Sequence, residues 1–319
     1  MLDAPADNLL EGLNPVQREA VLHDSGPLLI VAGAGSGKTR VLTHRIAHLI
    51  SDRGLSPFEI LAITFTNKAA DEMKQRVARL VGPVAQKMWV STFHSACVRI
   101  LRRDAKLLGY PSSFTIYDQA DAVRLVSYVL RDLNLDAKKM PPRTVHNTIS
   151  TAKNELIDFE SFRANARTVL DRRIADVYAE YQRRLLAAGA MDFDDLLMVT
   201  VNLLQARPEV LAHYQERFKH LLVDEYQDTN RAQNELVLML GREHRNVCVV
   251  GDSDQSVYRF RGADIRNILE FEEAFPDATV IVLEQNYRST QMILDAANAV
   301  IANNVGRKPK ELWTDQGRG

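Results

Sequence analysis

Apolar positions along this chain fall into two regimes. Short runs at Leu28 to Val31, Ile60 to Phe65, Met88 to Thr92, Leu221 to Val223, Val247 to Val250 and Thr279 to Leu283 are too brief for helices and rich in β-branched residues. Such runs read as strands of a parallel sheet covered on both faces. Between them apolar residues return at helical spacing, as at Leu42, Ile46, Leu49 and Ile50. Asn14-Pro15 opens a helix through Val21, because Asn caps first-turn N–H groups and Pro is tolerated at the first helical position. Strands alternating with helices predict an α/β fold.

From about Gly109 to Gly189 the strand regime stops. Leu125, Val129 and Leu133, then Ile174, Val177, Tyr178, Tyr181 and Leu185, follow helical spacing, with Pro111, Pro141-Pro142 and Gly189 as punctuation. The block predicts a helical insertion that splits one sheet domain in sequence. After Asn286 a helix through Ile293, Ala297 and Ile301 leads to a strand start at Glu311 to Thr314. The chain carries no internal repeat and no low-complexity tract.

Composition narrows the class. With 319 residues, 46% hydrophobic and 25% charged, the chain is globular and long enough for two or three domains. No apolar stretch reaches membrane-span length, and MLDAPADNLL lacks a signal-peptide pattern, so no membrane association and a cytoplasmic location are expected. The two cysteines, Cys97 and Cys248, form no C-x-x-C pair. They read as buried small hydrophobes rather than metal ligands. A formal net charge of −1 leaves nucleic-acid binding to local patches. The clusters Arg99, Arg102, Arg103, Lys106 and Lys138, Lys139, Arg143 each read, alone, as solvated surface.

Two stretches carry chemistry. Ala32 to Thr39, AGAGSGKT, sits between an apolar run and a helical pattern, the context of a phosphate-binding loop. Gly33, Gly35 and Gly37 let the backbone turn its N–H groups around phosphate oxygens, Lys38 reaches the β- and γ-phosphates, and the Thr39 hydroxyl suits Mg²⁺. The strict pattern asks for Gly where Ala32 stands. Leu221 to Asn230, LLVDEYQDTN, ends an apolar run in two acids. Asp224 suits the metal and Glu225 the general base, because an attacking water must be oriented and deprotonated.

These stretches stand in order with ITFTNKAADEM (63–73), STFHS (91–95), MDFDDLL (191–197), VVGDSDQSVYRFRGAD (249–264) and LEQNYRST (283–290). The set resembles the motifs of superfamily 1 DNA helicases of the UvrD/PcrA/Rep type, over essentially the whole chain and matching the N-terminal half of the family. The resemblance implies a RecA-like P-loop parallel sheet with helices on both faces, interrupted by an all-helical insertion. The implied domains are 1–109 and 191–284 for the ATPase core, 110–190 for the insertion and 285–319 for the opening of a second RecA-like domain.

The resemblance also implies ATP and Mg²⁺ as cofactors and 3′ to 5′ movement along single-stranded DNA. Ala34, Gly35, Ser36, Gly37, Lys38, Thr39 and Arg40 would hold nucleotide, with Gln17 at the adenine edge and Tyr287 beside the base. Gln255 would contact the γ-phosphate, and Arg288 would be an arginine finger. Thr64, Phe65, Thr66, Asn67, Thr92, His94, Phe193, Tyr258, Phe260 and Arg261 would line the DNA strand, the aromatics as stacking platforms and the polar groups on phosphate and sugar. Phe260 stands where the family often has Trp.

The family's second RecA-like domain supplies the other cleft wall, and it is expected in the same or a longer polypeptide. Single-strand to duplex junctions and DNA repair or replication proteins are the implied partners. The competing class is a non-hydrolysing ATP- and DNA-binding regulatory module, and a narrower alternative is the helicase part of a nuclease–helicase. Glu225 favours the enzyme, since a pure binder has no need of a base.

Overall fold

The six apolar runs become six of the eight strands in a computed structural model that describes residues 9–255, 266–304 and 310–319. The strands are β1 Leu28–Ala32, β2 Ile60–Thr64, β3 Trp89–Thr92, β4 Thr115–Tyr117, β5 Ala190–Asp192, β6 His220–Val223, β7 Val247–Gly251 and β8 Thr279–Leu283. Six form one sheet in the order β3-β2-β6-β7-β1-β8, and every pairing is parallel. Parallel strands share one direction, so the C-terminal ends of all six lie along one edge, where open α/β sheets carry ligand chemistry.

By contacts the chain divides into two units, one of Met1–Thr92, Ala212–Thr229 and Val237–Gly319, the other of Phe93–Leu211 with Asn230–Leu236. The first holds the sheet with helices around it. All five residues of β1, of β2 and of β7 are buried, as near-continuous apolar runs require. Leu28, Ile30, Leu222 and Val250 pack with Ile46 of the helix Lys38–Ser51 and Val77 of the helix Asn67–Val81. Each such side chain contributes roughly 1.5–3 kcal/mol on burial.

The helix Pro15–Leu22 starts at a capping box in which Asn14 Oδ1 accepts from Gln17 N at 2.7 Å and Gln17 Oε1 from Asn14 N at 3.2 Å. At its other end, buried Arg45 donates to the carbonyls of Ala20, Val21 and His23. Those carbonyls have no partner within the helix, so one buried guanidinium joins the first two helices of this unit.

The second unit is built on the helices Phe93–Asp104, Gln119–Asp132, Pro142–Asn154, Val169–Ala187 and Phe193–Ala206. Its core includes Val126, Val129, Ile149, Ile174, Val177, Tyr178, Tyr181 and Leu185. Leu133, read from its spacing as part of a helical stripe, is the C-cap of Gln119–Asp132 and 39% exposed. The helical block also carries β4, which pairs with β5 in parallel. Within the first basic cluster Arg102 is structural. Its guanidinium lies 3.9 Å over the Phe114 ring and donates to the Phe114 carbonyl at 2.6 Å.

Both cysteines are free and buried, and burial pushes the thiols up, Cys97 to about 12 and Cys248 to about 11. Among the described residues no helix is long and apolar enough to cross a membrane.

Candidate functional site

β1 delivers the chain into a loop shaped by two left-handed glycines. Gly35 has φ 69° and Gly37 φ 89°, values that side-chain-bearing residues rarely adopt. Ala32 remains the last residue of β1, in register with Leu283 and outside the left-handed region, so the position needs no glycine. The turn is closed by Ser36, whose Oγ donates to the Gly33 carbonyl at 2.7 Å. Gln17 Nε2 donates to the Ser36 carbonyl at 2.8 Å, and Tyr287 N to the Gly35 carbonyl at 3.0 Å.

The helix that follows, Lys38–Ser51, is capped by Gly37 and receives no side-chain hydrogen bond at its N-terminus. Its first-turn N–H groups and the positive end of its dipole are therefore left for an anion. Thr39 is the second residue of this helix and is half-buried; Arg40, the third, is exposed and sets its guanidinium against Gly12.

At the end of β6 Asp224 is buried, and Glu225 is only partly covered. Burial first, and the neighbouring Glu225 charge second, push the Asp224 carboxyl up to about 7, with Lys38 opposing. Glu225 adopts φ 51° and ψ 46°, a left-handed conformation that costs a non-glycine residue about 1–2 kcal/mol. Its Oε2 accepts from Lys38 Nζ at 2.8 Å and from Gln227 Nε2 at 2.7 Å. Gln227 turns its other end to the next strand, where Oε1 accepts from Asp252 N at 2.9 Å.

Gln255, just past β7, donates through Nε2 to Asp252 Oδ2. Beyond β8, Asn286 is the organiser. Its Nδ2 donates to the Ala34 carbonyl at 2.5 Å, and its Oδ1 accepts from Arg288 N and Ser289 N, each at 2.7 Å. A Cβ on Gly35 would lie 2.6 Å from Asn286 Nδ2 and 3.0 Å from Arg288 Cβ. Arg288 is thus seated against the loop, exposed, and without a carboxylate partner among the described residues. Tyr287 is 41% exposed, its hydroxyl accepting from Asn14 Nδ2 at 2.9 Å and donating to Gln285 Oε1 at 3.0 Å.

The donor set fits a nucleotide triphosphate with a divalent cation. An uncapped helix start and a lysine offer positive charge to phosphate, and Asp224 is an acid that burial and a second acid leave short of countercharge. Gln17 differs from expectation in being 1% exposed, with Oε1 and one Nε2 hydrogen engaged in the helix cap and the loop.

The residues read as DNA contacts divide by unit. Thr64 is buried at the end of β2 and donates to the Thr66 carbonyl at 3.1 Å, while Thr66 caps the helix Asn67–Val81 through Ala69 N. Phe65 is half-covered, Thr66 and Asn67 are exposed, and Thr92 ends β3 half-buried. In the other unit Phe193 opens the helix Phe193–Ala206 with half its surface exposed, and His94 meets it edge-on at 5.9 Å. Burial holds the His94 imidazole below its ordinary pKa. Tyr258, Phe260 and Arg261 lie outside the described residues.

The sequence reading assigned Asn286 and Asp252 no role and Gln227 none beyond its place in the motif, because polar residues that brace a loop carry no pattern of their own. It also missed Lys153. This buried ammonium lies 2.7 Å from Asp192 Oδ2 and 2.8 Å from Asp195 Oδ1. His146, Asp192 and Asp194 bring ligand atoms within 4.8 Å of one another, but Asp192 already has its countercharge in Lys153.

The UvrD/REP helicase N-terminal domain family matches residues 13–276. The ATP-dependent DNA helicase PcrA of Bacillus subtilis is 57% identical over 314 residues, 98% of this chain and 42% of that protein. The ATP-dependent DNA helicase UvrD1 of Mycobacterium bovis is 59% identical over 327 residues, 99% of this chain and 42% of its own length. The PcrA of Staphylococcus aureus is 55% identical over 311 residues, 98% of this chain and 43% of that protein. The chain therefore spans less than half the length of these relatives.

Proposed function

The chain belongs to the UvrD/REP helicase family, and on that premise we propose that it is the ATP-hydrolysing half of a cytoplasmic 3′ to 5′ DNA motor. The observation that carries the reading is the meeting of Lys38 and Glu225 at 2.8 Å, which brings the ends of β1 and β6 to one point of the sheet edge. A binding module would need the phosphate loop; it would not need a strained acid aimed at the loop's lysine.

In this reading the N–H groups of Gly35, Gly37 and the first turn of Lys38–Ser51 hold the phosphates, with Lys38 moving from Glu225 onto them. Thr39 and Asp224 would hold Mg²⁺, which when bound would supply positive charge to offset that of the phosphates. Glu225, released from Lys38 and still fixed by Gln227, accepts the proton of the attacking water at Oε2. Gln255 and Arg288 stand at the phosphate end, Arg288 to offset charge that grows in the transition state. Gln17 braces the loop and offers its remaining N–H to the base, beside Arg40 and Tyr287.

The residues that would contact single-stranded DNA are those the resemblance assigns, namely Thr64, Phe65, Thr66, Asn67, Thr92, His94, Phe193, Tyr258, Phe260 and Arg261. Aromatic faces stack on any base, so the grip is independent of sequence. The core would be 1–109 with 191–284, the insertion 110–190, and 285–319 the approach to a second RecA-like domain that closes the cleft. Junctions between single and double strands, and repair or replication proteins, are the partners this reading implies.

ATP turnover measured with and without single-stranded DNA tests it. Weak turnover by this chain is expected, with DNA-stimulated turnover and movement from 3′ to 5′ in a polypeptide that also carries a second RecA-like domain. ATP binding with no hydrolysis in either would transfer the reading to the regulatory module.

A further inference from the structure

Lys310 belongs to no motif, yet its side chain is 2% exposed and its ammonium bridges Asp252 Oδ1 and Asp254 Oδ2. A buried lysine has lost its hydration, and it persists where carboxylates of good geometry replace the water. Asp252 is the better connected partner. Its Oδ2 accepts from Gln255 Nε2, its Oδ1 from Asp254 N at 3.0 Å, and its carbonyl from Gln255 N at 2.9 Å. Its own N–H donates to Gln227 Oε1 at 2.9 Å, and Gln227 donates in turn to Glu225 Oε2 at 2.7 Å. A continuous polar path thus runs from Lys310 through Asp252 and Gln227 to Glu225 and Lys38, with Gln255 as its branch.

The segment that carries Lys310 is itself fastened to the phosphate loop. Trp313 N donates to the Glu284 carbonyl at 3.2 Å, and the Trp313 carbonyl accepts from Asn286 N at 2.7 Å. Leu312 occupies the space beside Gly33 so closely that a Cβ there would lie 2.1 Å from Leu312 Cδ2. A side chain at position 33 would therefore oblige Leu312 to shift.

We propose that Lys310 is a positioning residue for nucleotide hydrolysis, which holds Asp252 so that Gln255 and, through Gln227, Glu225 keep the geometry that turnover requires. The inference rests on the hydrolytic reading above. Lys310 touches neither Glu225 nor the loop, so its effect falls on the rate of the chemical step and leaves nucleotide affinity largely alone.

The test compares the full chain with Lys310→Met, Lys310→Arg and the double variant Lys310→Met with Asp254→Asn. Single-turnover hydrolysis of Mg·ATP, binding of a fluorescent ATP analogue and thermal melting are followed for each. Lys310→Met is expected to slow hydrolysis at saturating ATP on the order of tenfold while affinity stays within about threefold, the signature of an interaction expressed only in the reaction. Lys310→Arg, which keeps the charge and two donors, should recover most of the rate.

If Lys310→Met does not fold, the double variant decides, because it removes one positive and one negative charge and leaves the net charge of the cluster unchanged. It should melt near the wild type and still hydrolyse slowly. A folded Lys310→Met or double variant with the wild-type rate overturns the inference, as does a loss of rate matched by an equal loss of affinity. Failure of the wild-type chain to bind ATP would instead sink the nucleotide reading, and this inference with it.

Discussion

Lys38 Nζ lies 2.8 Å from Glu225 Oε2, so the residue read as the phosphate-binding cation and the residue read as the base neutralise one another across the sheet edge. The pair joins the first residue of the helix Lys38–Ser51 to the second residue beyond β6. In the proposed reading phosphate takes Lys38 from Glu225 and frees the carboxylate for water, so the resting contact would couple occupancy of the loop to exposure of the base.

Substitution of the pair separates binding from chemistry. Glu225→Gln removes a competitor for Lys38 and the proton acceptor together, so ATP binding should hold or tighten by a few fold while hydrolysis falls roughly 10²–10⁴-fold. Lys38→Ala should weaken both. Equilibrium binding and single-turnover rates read the two effects, and normal hydrolysis by Glu225→Gln would remove its assignment as base.

Gly35 and Ala32 are expected to respond in opposite ways to exchange. Gly35→Ala places a Cβ in the left-handed region, 2.6 Å from Asn286 Nδ2, so the loop must shift and nucleotide binding should drop at least tenfold. Ala32→Gly brings the chain to the strict loop pattern but touches a buried strand residue paired with Leu283. It should leave binding unchanged and cost about 0.5–1 kcal/mol of stability. Improved binding by Ala32→Gly would contradict this account of the loop.

Lys153 makes a stability prediction independent of nucleotide. Burial works against its ammonium, but Asp192 and Asp195 outweigh it and raise its pKa, while burial and the Asp192 charge push Asp195 up to about 6. Asp192 Oδ2 also accepts from Tyr181 OH at 2.8 Å, and Asp192 and Asp195 form the capping box of Phe193–Ala206. Lys153→Met should therefore cost on the order of 3–5 kcal/mol in urea unfolding, because it leaves buried carboxylates uncompensated. A loss under about 1 kcal/mol would show that the acids find another countercharge.

How much of this was legible depended on whether a feature has a period or a motif. Strands β1, β2, β3, β6 and β7 were readable because burial forces apolar runs, β8 because its edge run is apolar and β-branched although its first two residues are exposed, and the loop because glycine spacing and Lys38-Thr39 are imposed by phosphate geometry. The brace around them was not. Asn286 bonds a loop 252 residues away in sequence, Asp252 and Lys310 meet across 58, and no local rule relates such pairs. Leu133 sat at the correct helical spacing yet became a cap, because periodicity marks a face without marking where the helix stops. The strain at Glu225 was equally silent, since nothing in DEYQ announces a positive φ.

His220 supplies the pH dependence. It opens β6, and burial, reinforced by the Arg45 guanidinium, holds its imidazole down to about 4 against an ordinary 6.5. The folded chain therefore binds fewer protons than the unfolded chain between those values. This contribution to stability is complete above pH 6.5 and is lost as pH falls through 4. Because the ring is only partly covered, the loss is about 1–2 kcal/mol rather than the full equivalent of the shift. Urea midpoints measured from pH 7 to pH 4.5 should fall in the wild type and fall less in His220→Gln, which keeps a polar group at the start of β6 but cannot titrate. Parallel curves for the two proteins would assign the acid sensitivity to other groups.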